Sequence, residues 1–171
     1  MEWWGKVIKR TIFENPPCTS NDRISEMCKA LFAHYENPAE WKIVDEETIP
    51  ILERLRLKGI HTAVISNFDF RLKKLLDDFH LSSLLELVVL SGEVGIEKPN
   101  SRIFELVTDH FHLKSPKHLL HIGDHLQKDF HGARNFGAKS LLFDPKNRQN
   151  DSEFSPAEKI TKIAEILTHV E

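Results

Sequence analysis

The spacing of apolar positions changes partway along the chain. Up to about residue 60 they recur only at helical intervals: Trp4, Val7, Ile8 and Phe13 in "MEWWGKVIKRTIF", then Ile24, Met27, Leu31 and Phe32 in "SNDRISEMCKALFAHY". Both stretches are expected to be helices, with Ser20 and Asn21 offering the cap of the second. From Glu46 onward, helical periods alternate with short apolar runs. "EETIPILERLRLKGI" reads as an amphipathic helix stopped by Gly59, and "HTAVIS" as a short buried strand. "FRLKKLLDDFHL" is a helix, "LELVVLS" a strand, "NSRIFELVTDHFHL" a helix capped by Asn100 or Ser101, and "HLLHIG" a strand. "LQKDFHGARNFG" reads as a helix closing on Gly137, "KSLLFD" as a strand, and "SPAEKITKIAEILTHV" as a terminal helix with Pro156 in its first turn.

Helices alternating with short apolar strands imply right-handed crossovers and a doubly wound parallel α/β sheet. Such sheets meet their ligands at the carboxyl ends of the strands. The first of these ends carries "SNFD", where Ser66 and Asn67 can donate to an oxyanion, or Ser66, Asn67 or Asp69 can cap the next helix. The second carries "SGEVGIEKPN", in which Lys98 is held before Pro99 and either neutralises carboxylates or phosphate or is a solvated loop lysine beside Glu97. The third carries "HIGDHLQKD": Gly123 turns the backbone, and Asp124 and Asp129 form a carboxylate pair suited to a hard divalent cation such as Mg²⁺, or else cap the helix and complement its dipole. Asp144, at the fourth end beside Pro145, reads as a turn residue.

Composition narrows the classes. The 171 residues carry a net charge of -3, with lysines and arginines scattered, so neither nucleic acid nor a membrane surface is an expected partner. Two cysteines, Cys18 and Cys28, are too few for a disulfide framework, and no apolar leader or spanning run stands out, so a reducing, cytoplasmic setting is expected. Ten histidines invite a zinc reading, but the pairs His121 with His125 and His110 with His112 straddle a strand end or lie on different faces.

The order of the strand ends is more specific than any one of them: Ser-Asn, then Lys-Pro, then Gly-Asp with a later Asp. In "VISNFDFRL", "SGEVGIEKPNSRIF" and "HIGDHLQKDFHGARNFG" the chain resembles the haloacid dehalogenase-like hydrolase superfamily, in the branch with a helical cap. The resemblance implies an α/β core over residues 41–171 and a partial helical cap over 1–40. It implies a Mg²⁺-dependent phosphatase-type hydrolase of small phosphorylated metabolites, with Ser66, Asn67 and Lys98 binding phosphate. Lys98 would be the charge-balancing catalytic lysine, and Asp124 with Asp129 the metal ligands.

The family also places an aspartate nucleophile in an Asp-x-Asp motif at the end of a central strand, and no Asp-x-Asp occurs in this sequence. That strand would lie before Met1. Losing a nucleophile that acts as a unit with its partners costs on the order of 10⁴ to 10⁶ in turnover, so the chain as given is expected to be catalytically impaired. The alternative is a non-catalytic α/β binding or interaction module. A receiver-like fold with a phosphorylatable aspartate fits the Gly-Asp pair and the leading helices poorly. Without the central strand, the strands ending at Ser66 and Gly123 each keep an unpaired inner edge, which also invites self-association.

Overall fold

The computed structural model describes residues 21–149 and 154–170. The helix expected in "MEWWGKVIKRTIF" and its neighbour's cap at Ser20 lie outside them. The chain divides into two units, Met1–Lys42 and Ile43–Glu171. In the first, α1 (Asn21–Glu36) follows the expected second helix. A 3₁₀ turn (Pro38–Glu40) then begins at Asn37, whose side chain accepts the Ala39 N–H, and the Trp41 indole donates to the Tyr35 carbonyl at 3.1 Å.

The second unit is the alternating part. Its elements are α2 (Thr48–Leu57), β1 (Ala63–Ser66), α3 (Arg71–Asp78), β2 (Leu87–Leu90), a short α4 (Ser91–Val94) and α5 (Ser101–His110). They continue with β3 (Leu120–Gly123), a π-helical turn (Leu126–His131), α6 (Gly132–Phe136), β4 (Lys139–Phe143) and β5 (Lys159–Ile160). α2 ends as its sequence implies, with Gly59 at φ +72° and the Ile60 N–H returning to the Leu55 carbonyl. α5 starts on Asn100, whose side chain accepts the Arg102 N–H, and buries Ile103, Phe104 and Val107 along one stripe.

All strand pairs are parallel, but they form two sheets rather than one. β1 pairs with β2, and β3–β4–β5 stand apart as a second sheet. Among the described residues no strand lies between β1 and β3. One apolar cluster joins Ile65 and Val89 of the first sheet to Ile103, Phe104 and Val107 of α5 and to Ala133 and Ala138. Another packs Ile51 and Leu55 of α2 on Leu141 and Ile160 of the second sheet. Among the described residues no helix is long and apolar enough to cross a membrane.

Two expected helices take other forms. The terminal one is broken: Pro156–Glu158 make one 3₁₀ turn closed by a Ser155–Glu158 capping box, Lys159–Ile160 enter the sheet, and Ile163–His169 form 3₁₀ turns. The cause is the outer edge of β4, whose polar groups need partners; the Asp144 N–H just beyond it donates to the Ile160 carbonyl at 2.9 Å. Apolar residues at helical spacing still reach the core, since Ile160, Ile166 and Leu167 are all buried. The helix expected after Gly123 opens instead as the π-helical turn, with Asp129 and Phe130 buried, before α6 closes on Gly137 at φ +95°.

Candidate active site

The ends of β1, β2 and β3 deliver their residues to one place. After β1, the Asn67 side chain clamps the Lys98 peptide from both sides: its Oδ1 accepts the Lys98 N–H at 2.8 Å, and its Nδ2 donates to the Lys98 carbonyl at 3.0 Å. Asp69 accepts from its near neighbour Arg71, Nε at 2.8 Å and Nη2 at 2.7 Å, and also accepts the Arg71 backbone N–H. The loop after β2 closes on the same segment, with Gly92 N–H donating to the Phe68 carbonyl at 3.0 Å. A Cβ at Gly92 would stand 3.1 Å from Asp69 Cα, so the two loops approach as closely as glycine permits.

Lys98 is buried, and its ammonium reaches both sheets. Nζ donates to the Ile65 carbonyl of β1 at 2.7 Å and pairs with Asp129 Oδ1 at 2.6 Å. Asp129 is equally enclosed: Oδ1 also lies 3.0 Å from His121 Nε2 of β3, and Oδ2 accepts the His125 backbone N–H at 3.1 Å. The π-helical turn aims the carboxylate inward over Gly123, where a Cβ would sit 2.6 Å from Asp129 Oδ2. Only glycine leaves room for that packing. His121 in turn lies edge-on to the Phe104 ring, centroids 5.1 Å apart.

The charges settle accordingly. Burial alone would raise the Asp129 pKa, but the hydrogen bonds from His121 and Lys98, with the ammonium's charge, carry it well below the usual carboxylate range. Burial, helped by the Lys98 charge, pushes His121 down against the pull of Asp129, so the imidazole is neutral near pH 7. The neutral tautomer with its proton on Nε2 is the one that donates to Asp129. The site is a buried ammonium–carboxylate pair with a neutral imidazole donor behind it.

The expected residues divide by environment. Asn67, Lys98 and Asp129 form one hydrogen-bonded network. Ser66 is half-buried at the end of β1, and its hydroxyl makes no hydrogen bond among the described residues. Asp124 is exposed, and its carboxylate likewise makes none among them. Mg²⁺ takes hard oxygen donors, often only one or two carboxylates completed by phosphate and water. Asp124 fits that role. Both Asp129 oxygens are engaged, so Asp129 fits it only by giving up the contact with Lys98. No group of three or more His, Cys, Asp or Glu converges among the described residues. Asp144 holds a turn, as its position implies, with Oδ2 accepting the Gln149 N–H at 2.8 Å.

Sequence reasoning missed His121, set aside with the other histidines. Its signal was its place in the strand register, because alternation puts the residue two before Gly123 on the same face as that glycine.

A family model described as "Hydrolase: haloacid dehalogenase-like hydrolase" matches residues 1–137. This chain is a haloacid dehalogenase-like hydrolase family member. It is 31% identical over 143 residues to human "Haloacid dehalogenase-like hydrolase domain-containing protein 3", a match covering 82% of this chain and 55% of that protein. It is 33% identical over 123 residues to a "Phosphoserine phosphatase" of Thermus thermophilus, covering 71% of this chain and 49% of the relative. The family member thus spans about half the length of these curated relatives. In fold it is similar to a HAD phosphatase from Thermococcus onnurineus, with a TM-score of 0.74 at 18% identity over 88% of this chain and 70% of the other.

Proposed function

We propose that these strand ends are a Mg²⁺-dependent phosphoryl-transfer site of phosphatase type for small phosphorylated metabolites, in a reducing, cytosolic setting. The observation that carries the reading is the Lys98 ammonium held between the Ile65 carbonyl and Asp129, with Ser66 ending β1 and the exposed Asp124 following directly on β3. An ammonium fixed among strand ends attracts phosphoryl oxygens, and the Ser66 O–H adds a donor. Asn67 acts mainly by positioning, since its amide grips the Lys98 peptide. Asp124 supplies the direct metal ligand, and Asp129 orients Lys98 and joins the metal only on releasing it. Mg²⁺, when bound, would neutralise phosphate charge and polarise the phosphorus–oxygen bonds. The phosphatase names among the relatives support the same chemistry.

The chain as given holds no Asp-x-Asp. We therefore expect its own turnover to be impaired while metal and phosphate binding persist, leaving it a phosphate-binding module. Calorimetry with Mg²⁺ and an assay with p-nitrophenyl phosphate test both halves. Millimolar Mg²⁺ should give binding heat that Asp124→Asn abolishes, with hydrolysis at the buffer rate. Absence of heat removes the metal role of Asp124, and hydrolysis that depends on Asp124 removes the impairment.

A further inference from the structure

We propose that a polar pocket at the amino ends of β3 and β4 binds a small organic acid with one anionic head and a short apolar body. The proposal goes beyond the hydrolase reading: it concerns the end of the second sheet opposite Asp124, and it depends on neither Mg²⁺ nor the phosphoryl chemistry proposed there.

A cavity of about 340 Å³ lies at this end. Its polar lining is Arg134 of α6, Lys139 and Ser140 at the start of β4, Glu158 just before β5, and His169. Leu120, Ala138 and Ala157 add apolar wall. Leu120 opens β3 and Gly123 closes it, so about 10 Å of strand separates the cavity from the candidate active site.

Ser140 points to what the cavity holds. The residue is 7% exposed, and its hydroxyl has no hydrogen-bond partner among the described residues. A buried hydroxyl left so is costly, and an oxygen acceptor relieves it. Strand alternation puts Ser140 on the same face of β4 as Leu142, which packs with Phe130, and the Arg134 guanidinium lies over the Phe130 ring at 5.2 Å. Hydroxyl and guanidinium therefore share one side of the strand. The Lys139 N–H donates to the Leu119 carbonyl beside β3, and backbone direction alternates, so the Ser140 N–H turns to the other edge of β4, which β5 meets only from Leu142 onward.

The charges select the occupant. Arg134 Nη1 donates to Glu158 Oε1 at 2.8 Å, and Glu158 Oε2 accepts the Ser155 N–H at 2.9 Å, so guanidinium and carboxylate cancel while Arg134 keeps further N–H donors. The Lys139 ammonium has neither an ion pair nor a hydrogen bond among the described residues. One positive charge is left over, which suits a monoanion; a neutral ligand leaves it unmatched, and a cation is repelled. The cavity greatly exceeds the roughly 30 Å³ that a water takes up, so the head can carry a body for Leu120, Ala138 and Ala157 to cover.

The full 171-residue chain, isotope-labelled and kept in EDTA, can be titrated with benzoate and with phenylphosphonate, which has no ester to hydrolyse, while backbone amide shifts are followed. At least one acid should give saturable shifts at Lys139, Ser140 and Glu158, and the tighter of the two tells a carboxylate head from a phosphate head. Benzamide, of similar size but neutral, should bind at least about tenfold more weakly. Ser140→Ala and Lys139→Gln should each weaken the acid about tenfold without lowering the urea midpoint of the free protein. No saturable shift up to about 10 mM acid, or shifts confined to Ser66, Asn67 and Lys98, would overturn the proposal. So would benzamide binding as tightly as the acids, or unchanged affinity in Ser140→Ala, the result expected if water alone meets the hydroxyl.

Discussion

Replacing Lys98 with methionine keeps most of the apolar stem and removes the ammonium, leaving Asp129 buried with only two neutral N–H donors. The Nζ–Oδ1 distance is 2.6 Å, and the side chains are 10% and 6% exposed. At an effective dielectric near 20 the gross attraction at that separation is about 6 kcal/mol. Desolvation of both ions offsets much of it, but removing one partner strands the other charge, which typically costs about 3–5 kcal/mol. Urea unfolding followed by circular dichroism at pH 7 should therefore show Lys98→Met destabilised by about that amount. The double variant Lys98→Met/Asp129→Leu leaves no stranded charge and should recover most of the loss.

The pH dependence carries the same signature. The folded-state pKa of Asp129 is depressed, so its contribution is present above the ordinary carboxylate pKa and is lost as pH falls through the folded value. Without the ammonium that depression shrinks, so the gap between wild type and Lys98→Met should be full at neutral pH and should narrow only in acid. A loss under about 1 kcal/mol, the range of exposed pairs, or a double variant no more stable than the single, would refute the buried-pair account.

Three further perturbations test neighbouring parts of the argument. His121 is held neutral by burial, so the unfolded chain binds a proton below about pH 6.5 that the folded chain refuses. Stability should fall by up to about 1.4 kcal/mol per pH unit from that point until the folded imidazole protonates; His121→Gln should lose this slope, and identical slopes in chemical denaturation would contradict it. Gly123→Ala places a methyl against the Asp129 carboxylate and should cost about 1–3 kcal/mol in the same assay, while an unchanged midpoint would mean the π-helical turn yields freely. The Ser140 hydroxyl is buried with no hydrogen-bond partner among the described residues, so Ser140→Ala should be neutral or stabilising by up to about 1 kcal/mol, and a clear loss would reveal a bond it makes.

Much of the fold was legible because period and punctuation agreed. α2, α5 and four of the five strands stand where apolar spacing and Gly or Asn signals put them. The terminal segment misled because Ile160, Ile163 and Leu167 suit a helix face equally well, and local periodicity cannot register the unfilled edge of β4. The strand-end residues were legible as a set, since a parallel sheet gathers its carboxyl ends whatever the loops do. Their pairing was not. Asp124 and Asp129 read as two equivalent carboxylates, and only the π-helical turn separates them, sending Asp129 inward to Lys98 and leaving Asp124 exposed.

That separation bears on the gap between the sheets. Lys98 extends from the loop beyond β2, yet its ammonium joins the Ile65 carbonyl of β1 to Asp129, which follows β3. It is a polar link across an interval where backbone pairing is missing among the described residues. Asn67, by gripping the Lys98 peptide from β1, fixes the stem from which that link reaches. The same lysine therefore ties the end of β1 to the turn that follows β3. Ion pairing of this depth is costly to desolvate and weak evidence for stability by itself. What its geometry does is join, through one ammonium, a backbone carbonyl of β1 and a carboxylate that the turn after β3 sends inward, two groups that the chain otherwise leaves without a shared partner among the described residues.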